Sequence, residues 1–379
     1  MRLVWTLRTG GLPFDMHSLR MVAQALLHRP LHLYGELNPP HEYHWPYPPG
    51  YFPWVLASHG LSALAGIPFR VCVVLPAIAA DAVLAWLVQV GLGRAGADDR
   101  ARLGGCALVA FGPAFALISG YHGQIDSVAV LPAALALLAW ERGGSRRALA
   151  AGLLIGVAVS IKTAPGLVLL ALLPSVRSRR EALTLCAAAV AVPLVALAPF
   201  LAVDAPGVLR ALRYAGIPGQ GGISMLADPN LVRHFVFDAQ VTHLTAPIRL
   251  MVDHGALLTG AALAAAATVV VRRRMAPRDG AAVLWLALYV AGTAFAFQYA
   301  VWGLPFLILA GRLRWAAWMQ AGLLVPEALY YLGPWHGPEL LIPLYIGCMG
   351  AVWLGQAAAL RVSLLGARQR VLPGVAQTG

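Results

Sequence analysis

Charged side chains are scarce in this chain. Asp, Glu, Lys and Arg make up 12% of its 379 residues, against about 25% in an ordinary soluble domain. Too few solvated groups are present to cover a water-facing surface, which excludes a conventional soluble fold. Lysine is almost absent: Lys162 is the only one, so the formal net charge of +12 is carried by arginine. Cysteine is sparse too. Cys72, Cys106, Cys186 and Cys348 fall within apolar runs, at spacings that suit neither a disulfide framework nor a zinc site, and read as small core residues. The histidines lack a His-Glu-x-x-His type of spacing, so no metal is expected, and no cofactor either.

What the chain has in excess is apolar sequence: 59% of it is hydrophobic and the mean hydropathy is +0.71. An all-α polytopic membrane protein is the class this implies. Spans are expected at 70–92, 103–119, 127–141, 147–162, 164–176, 182–203, 255–271, 281–297, 299–311, 315–332 and 338–360, about 11 transmembrane helices. Several are short for a bilayer core that needs about 20 residues. The pairs 147–176 and 281–311 break at polar points, Lys162-Thr163-Ala164-Pro165 and Gln298. Either each pair is two short helices meeting at a cavity, because broken backbone at membrane depth must line protein or water, or each is one long kinked helix. Residues 16–33 suggest an amphipathic helix with Met21, Val22, Ala25, Leu26 and Leu27 on one side. Residues 51–65, interrupted by Ser58, His59 and Gly60, suit a helix lying at the membrane interface.

Arginine placement gives an orientation. Clusters at Arg94/Arg100/Arg102, Arg142/Arg146/Arg147, Arg177/Arg179/Arg180, Arg272/Arg273/Arg274/Arg278, Arg312/Arg314 and Arg361/Arg368/Arg370 fall at alternate junctions and hold most of the 28 basic residues. The positive-inside rule makes that side cytoplasmic. The excess positive charge reads as topology and as attraction to anionic headgroups or phosphates; nucleic acid is not an expected partner. The resulting layout is an extracytoplasmic loop with juxtamembrane helices over 1–69, a transmembrane domain over 70–361 with an external loop at 204–254, and a cytoplasmic tail over 362–379. It leaves Met1–Arg70 outside with no helix to carry it there. That calls for a transmembrane helix ahead of Met1, or a helix count that is off by one.

Polar groups then converge on the outer face. They are Asp15 with the Tyr47-Pro48-Pro49-Gly50 corner; the hairpin Tyr121-His122-Gly123-Gln124-Ile125-Asp126; Lys162-Thr163; the 204–254 loop with Arg210, Arg213, Arg233, His234 and Arg249; and Phe297-Gln298-Tyr299. Ionisable groups near membrane depth are costly and are functional candidates by default. Each also has a plainer reading. Asp15 and Asp126 suit helix N-caps, Lys162 suits snorkelling from a span end, Tyr-Pro-Pro-Gly suits a rigid turn, and Arg233-His234 suits a solvated loop face. Asp81, inside the first span, needs an internal partner that Arg70 lies too far along the helix to supply.

Three stretches resemble the GT-C glycosyltransferases that use polyprenyl-phosphate sugars, nearest to bacterial relatives of the mannosyl- and glucosyltransferases of lipid-linked glycan assembly. The first is Asp15-Met-His-Ser with Tyr34, Tyr47-Pro48-Pro49-Gly50-Tyr51, Arg70 and Ala80-Asp81. The second is Ser119 to Ser127 followed by Arg142–Arg147, Ala151-Gly-Leu-Leu and Lys162. The third is Gln298-Tyr299-Ala-Val-Trp302-Gly-Leu-Pro305-Phe306. The resemblance implies a catalytic acid in the first external loop, where Asp15 sits, and a juxtamembrane helix after the proline corner. It also implies a transmembrane helix just ahead of that loop.

The expected activity is inverting transfer of a hexose, mannose being the family's commonest sugar, from a polyprenyl-phosphate donor to a glycan, lipid or protein acceptor. It would occur on the extracytoplasmic face of the inner (plasma) membrane. Asp15 is the expected general base. Lys162, Arg233, Arg249, His234 and His122 are candidates to stabilise the departing phosphate. Tyr47, Gln124, Asp126 and Gln298 complete the substrate-binding set. The rival readings are a flippase of a lipid-linked sugar, which broken helices also suit, and an inactive subunit of an envelope complex. The absence of an inverted repeat between the halves, and the gathering of polar groups on one face, favour the enzyme.

Overall fold

The computed structural model describes residues 1–39, 42–214, 216–233, 243–331 and 341–366; His41, His234, Arg368 and Arg370 lie outside them. Among the described residues all regular structure is helical. Five helical segments are long and apolar enough to cross a bilayer: α5 (Phe69–Arg94), the run Asp99–His122, α11 (Arg179–Leu212), α13 (Ala246–Arg272) and α17 (Leu341–Gly366). The run Asp99–His122 comprises α6 (Asp99–Ala110), α7 (Pro113–Phe115) and a wider π turn over Ala116–His122. Shorter helices fill the interior: α8 (Asp126–Arg142), α9 (Arg147–Ile161), α10 (Leu167–Leu172), α14 (Pro277–Ala291), α15 (Phe297–Leu309) and α16 (Leu313–Tyr331).

Burial separates the two groups. α15 is hydrophobic all round and buried over most of its length, from Ala300 to Leu309, as a helix enclosed by others must be. α13 buries only Ile248, Gly255 and Val270 and leaves its remaining apolar surface outward, towards lipid. Start signals are local. Asp98 caps α6 through the Ala101 amide at 2.7 Å, and Ser178 caps α11 through the Glu181 amide at 3.1 Å, each satisfying a donor that the first helical turn leaves unpaired.

The broken pairs are two helices each. α9 stops at Ile161 because Lys162 is extended, at φ −145° and ψ 141°; a 3₁₀ turn at Ala164–Gly166 then leads into α10. Between α14 and α15 the break covers 292–296, so Gln298 falls in the first turn of α15 rather than at the break. Short helices are acceptable here because neighbours surround them. α11 runs beyond its expected end to Leu212, with a non-helical residue at Asp204, and α13 begins as early as Ala246, with another at His254. The two kinks coincide with the expected ends of the 204–254 loop.

The polar N-terminal region is not a loose loop. α1 (Arg2–Arg8) packs on the π turn and α5, while α2 (Pro13–His28), α3 (Leu33–Leu37) and α4 (Phe52–Ala65) share a second apolar core around Tyr34, Trp45, Phe52 and Phe200, with ring centroids 5.4–6.1 Å apart. α2 starts at Pro13, a favoured first residue, and buries Met16, Leu19, Val22, Ala23 and Ala25. Of the expected face, Val22 and Ala25 are buried and Met21 and Leu26 pack against this core, whereas Leu27 is exposed. Gly50 sits so close to α9 that an added Cβ would lie 2.5 Å from the Ser160 carbonyl oxygen. This contact docks the proline corner onto the end of α9, and α4 leaves from it.

The arginine clusters meet at one end of the bundle. Arg278 pairs with Glu141 at 2.6 Å and donates to the Gly91 and Leu309 carbonyls. Arg147 pairs with Glu181 at 2.6 Å, and Arg312 pairs with Asp279. Asp126 and Lys162 lie at the far ends of α8 and α9 from Arg142 and Arg147.

α9 and α11 approach closely through Gly152 and Gly156, a small-xxx-small pair. A Cβ on Gly152 would lie 2.6 Å from the Leu185 carbonyl oxygen. Gly152→Ala is therefore expected to cost about 1–3 kcal/mol by overpacking. Gly60→Ala, with open space around it, should be neutral or stabilising by up to about 1 kcal/mol. Thermal unfolding of the two variants in detergent checks the opposite signs.

Candidate active site

At the end remote from the arginines, a continuous hydrogen-bonded chain joins α2, the π turn, α8, the end of α9, α15 and α16. Its centre is made by the π turn. Gly123 ends that turn in the left-handed region (φ 86°), and a side chain there would meet Met16 of α2 and Val74 of α5. The tight reversal aims His122 and Gln124 at α2 and lets Asp126 open α8. Single π turns recur at functional sites.

Asp15 lies in the first turn of α2 without capping it; the N-cap position is Leu12 and makes no side-chain bond. Its Oδ2 is 2.7 Å from His122 Nε2 and its Oδ1 accepts from Gln124 Nε2 at 2.6 Å. A carboxylate only accepts, so His122 carries its proton on Nε2, and its Nδ1 accepts from the Tyr331 hydroxyl at 2.7 Å. The Gln124 amide spans to the other half of the chain. Its Oε1 accepts from Lys162 Nζ at 3.2 Å, and Lys162 also donates to Asp126 Oδ1 at 2.7 Å. The Trp302 indole N–H closes the series on that same Asp126 oxygen.

The two acids are placed differently. Asp126 is fully buried, and its Oδ2 has no hydrogen-bond partner among the described residues. Asp15 keeps 25% of its side chain exposed, whereas its partner His122 keeps 3%. A small cavity reaches Asp15 between Ser18, His44, Trp45, Tyr47 and Gln124. Asp15 is thus the acid that a substrate can reach.

Lys162 does not snorkel. It is 1% exposed, and its ammonium lies 4.4 Å from the Tyr47 ring centroid, a cation–π contact that adds to its two hydrogen bonds. Its protons are committed inside the protein, which is at odds with a direct contact to a departing phosphate. Burial pushes the Tyr47 phenol well above its usual pKa, with Tyr214 and the Asp126 carboxylate adding to the effect. Burial likewise pushes Tyr214 up to about 12. Both rings therefore face the cluster as neutral hydroxyls. Tyr299 stacks on Trp302 with centroids 4.0 Å apart, which extends the aromatic wall.

The remaining expected residues stand apart. Gln298 is half-buried and makes no hydrogen bond among the described residues. Arg249 is exposed and donates to the Leu244 carbonyl at 3.2 Å. Arg233 is exposed as well, and Arg210 holds the Asn38 carbonyl. Three partners were not foreseen. Tyr331 was part of an expected span with no role assigned. Arg2 supplies the missing partner of Asp81, at 2.6 Å, where α1 packs against α5. Arg70 ties α1 to the π turn through Thr9 Oγ1 at 2.8 Å and the Tyr121 carbonyl at 2.6 Å. The isolated, mid-span Asp81 was the signal that a cation had to arrive from elsewhere in the chain.

A sequence model of glycosyltransferase family 87 matches residues 45–297. The chain belongs to that family. No curated protein matches it. As a family 87 glycosyltransferase it is a polytopic membrane protein of the GT-C type, in agreement with the expected class. The matched segment of the glycosyltransferase contains Tyr47, His122, Gln124, Asp126 and Lys162, whereas Asp15, Gln298 and Tyr331 lie beyond its bounds.

Removing one member of a buried ion pair leaves an uncompensated charge, at a cost of about 3–5 kcal/mol. Lys162→Met should therefore lower the thermal midpoint in detergent sharply. The double variant Lys162→Met/Asp126→Asn should recover much of the loss. An unchanged midpoint in the single variant would remove the pair from the folding energetics.

Proposed function

We propose that this glycosyltransferase moves a hexose, most simply mannose, with inversion from a polyprenyl-phosphate donor to an extracytoplasmic acceptor (a glycan, a lipid or a protein). Asp15 is the general base. The observation that carries the reading is the position of Asp15: a partly exposed carboxylate, oriented on both oxygens by His122 and Gln124, at the end of the bundle remote from the arginines. By the positive-inside rule that end faces away from the cytoplasm, across the inner (plasma) membrane.

In the reaction the acceptor hydroxyl loses its proton to Asp15 as its oxygen attacks the anomeric carbon. The bond from that carbon to the phosphate oxygen breaks, and the polyprenyl phosphate leaves. General-base assistance of this kind is worth about 10²–10⁴-fold, and one direct displacement inverts the anomeric centre. The Nε2 proton of His122 and the Gln124 amide hold the carboxylate in place, and Tyr331 fixes the imidazole tautomer. Lys162 acts at one remove: it neutralises Asp126 and orients the Gln124 amide. Arg233 and Arg249, on the segment around the outer loop, are better placed than Lys162 to meet the departing phosphate. Asp126, buried behind Gln124 and neutralised by Lys162, supports the site without touching the sugar, and Tyr47 and Tyr299 offer faces for the sugar ring.

Asp15→Asn should reduce transfer by about 10²-fold or more without loss of expression, thermal midpoint or donor binding. The measurement is consumption of radiolabelled polyprenyl-phosphate sugar by the purified protein in detergent, where an enzyme acts without a sealed compartment. Wild-type rates in this variant would remove Asp15 from the chemistry. Consumption of a nucleotide sugar in place of the lipid-linked one would overturn the donor class. Tyr331→Phe, which deletes only the hydroxyl that sets the His122 tautomer, should slow turnover with little change in apparent donor affinity.

A further inference from the structure

The arginine-rich end carries a second feature that the transfer reaction does not use. An apolar slot of about 360 Å³ opens on the outer surface of the bundle, walled by Trp86, Leu87, Val90, Leu135, Leu138 and Leu154. It lies where α5, α8 and α9 meet, and its mouth is flanked by Arg94 and Arg142. Both are terminal residues of their helices. At 1.5 Å rise per residue, the wall from Arg94 to Trp86 extends about 12 Å into the apolar zone.

The two arginines differ from those that fasten this end of the bundle. Arg102, Arg147, Arg278 and Arg312 are each neutralised by an acid of this chain. Arg94 and Arg142 are exposed and have no ion pair or hydrogen bond among the described residues. Two uncompensated guanidinium groups thus stand at the level where the apolar wall ends. Guanidinium binds phosphate with matched, bidentate geometry, and clustered basic residues at a membrane surface attract anionic lipid.

We propose that this slot is a binding site for one anionic phospholipid, with an acyl chain against Leu135, Leu138 and Trp86 and the phosphate between Arg94 and Arg142. Charge complementarity selects the occupant. A headgroup with net negative charge sits between both arginines and reduces their mutual repulsion, whereas a zwitterionic headgroup brings its own cation against them. A bare soluble anion leaves the apolar wall uncovered. The site lies at the opposite end of α8 from Asp126 and is independent of the sugar donor.

The test is lipid binding by the full-length protein in detergent, followed by native mass spectrometry and by thermal midpoint. The probes are phosphatidylglycerol, phosphatidylcholine with the same chains, and glycerol 3-phosphate. Phosphatidylglycerol should bind the wild type at a defined stoichiometry, and the Arg94→Gln/Arg142→Gln variant should lose roughly 30-fold in affinity. The Arg314→Gln/Arg361→Gln variant, which removes the same charge from exposed positions away from the slot, should bind as the wild type does. Ala139 also lines the slot, and Ala139→Phe, which fills it and keeps both arginines, should weaken binding too. Equal affinity for the two phospholipids, or an equal loss in both arginine variants, would overturn the site. Competition by glycerol 3-phosphate at equal concentration would overturn the lipid assignment in favour of a simple anion site. The arginine pairs are exposed and are not expected to affect folding, so the result stands even if Ala139→Phe is poorly expressed.

Discussion

A single buried ammonium, Lys162 against Asp126, is the constraint around which the end of this glycosyltransferase remote from the arginine clusters is arranged. A charge at 1% exposure is tolerable only when its donors are satisfied, and satisfying them fixes several segments at once. The end of α9 must stop where Lys162 can turn inward. α8 must begin at Asp126, and α15 must bring Trp302 to the same carboxylate. The proline corner must lie close enough for the Tyr47 ring to cover the ammonium. Gly50 makes that last approach possible, since any side chain there would strike the Ser160 carbonyl. Position, cover and charge are therefore one problem with one solution.

The polar end rests on a frame of a different kind. The helices around it are short and would be marginal alone, yet they are enclosed by neighbours that meet through small residues. Arg70 and the Arg2–Asp81 pair then bind α1 and the π turn to the start of α5. Polar groups at this depth serve to fasten irregular backbone, which in a bilayer has no water to satisfy it.

Much of this was legible in the sequence and some was not. Composition alone dictated the class, because 12% charge cannot coat a water-soluble surface. The arginine runs marked one end of the bundle before any helix was seen, and isolated polar residues in apolar surroundings pointed to Asp15, His122, Gln124, Asp126 and Lys162. Periodicity could not show that Leu27 falls outside the buried face of α2 while Met16 and Leu19 join it, since its apolar residues crowd more than one face and only packing against the second core chooses between them. The roles of Tyr331 and Arg2 were hidden because each is set by contact with a residue more than 70 positions away. Nor does spacing tell whether a lysine points into a cavity or spends its protons on a partner.

The Gln124 amide has a consequence of its own. It shows its carbonyl to an ammonium and its NH₂ to a carboxylate, and the reverse orientation would oppose like poles at both ends, so it is locked without help from packing. In circuit terms it is an insulator with a fixed polarity. It transmits position from Lys162 to Asp15 but keeps the two from joining in a common ion pair, so that one acid of the cluster is tied to a buried cation while the other stays open at the mouth of the cavity.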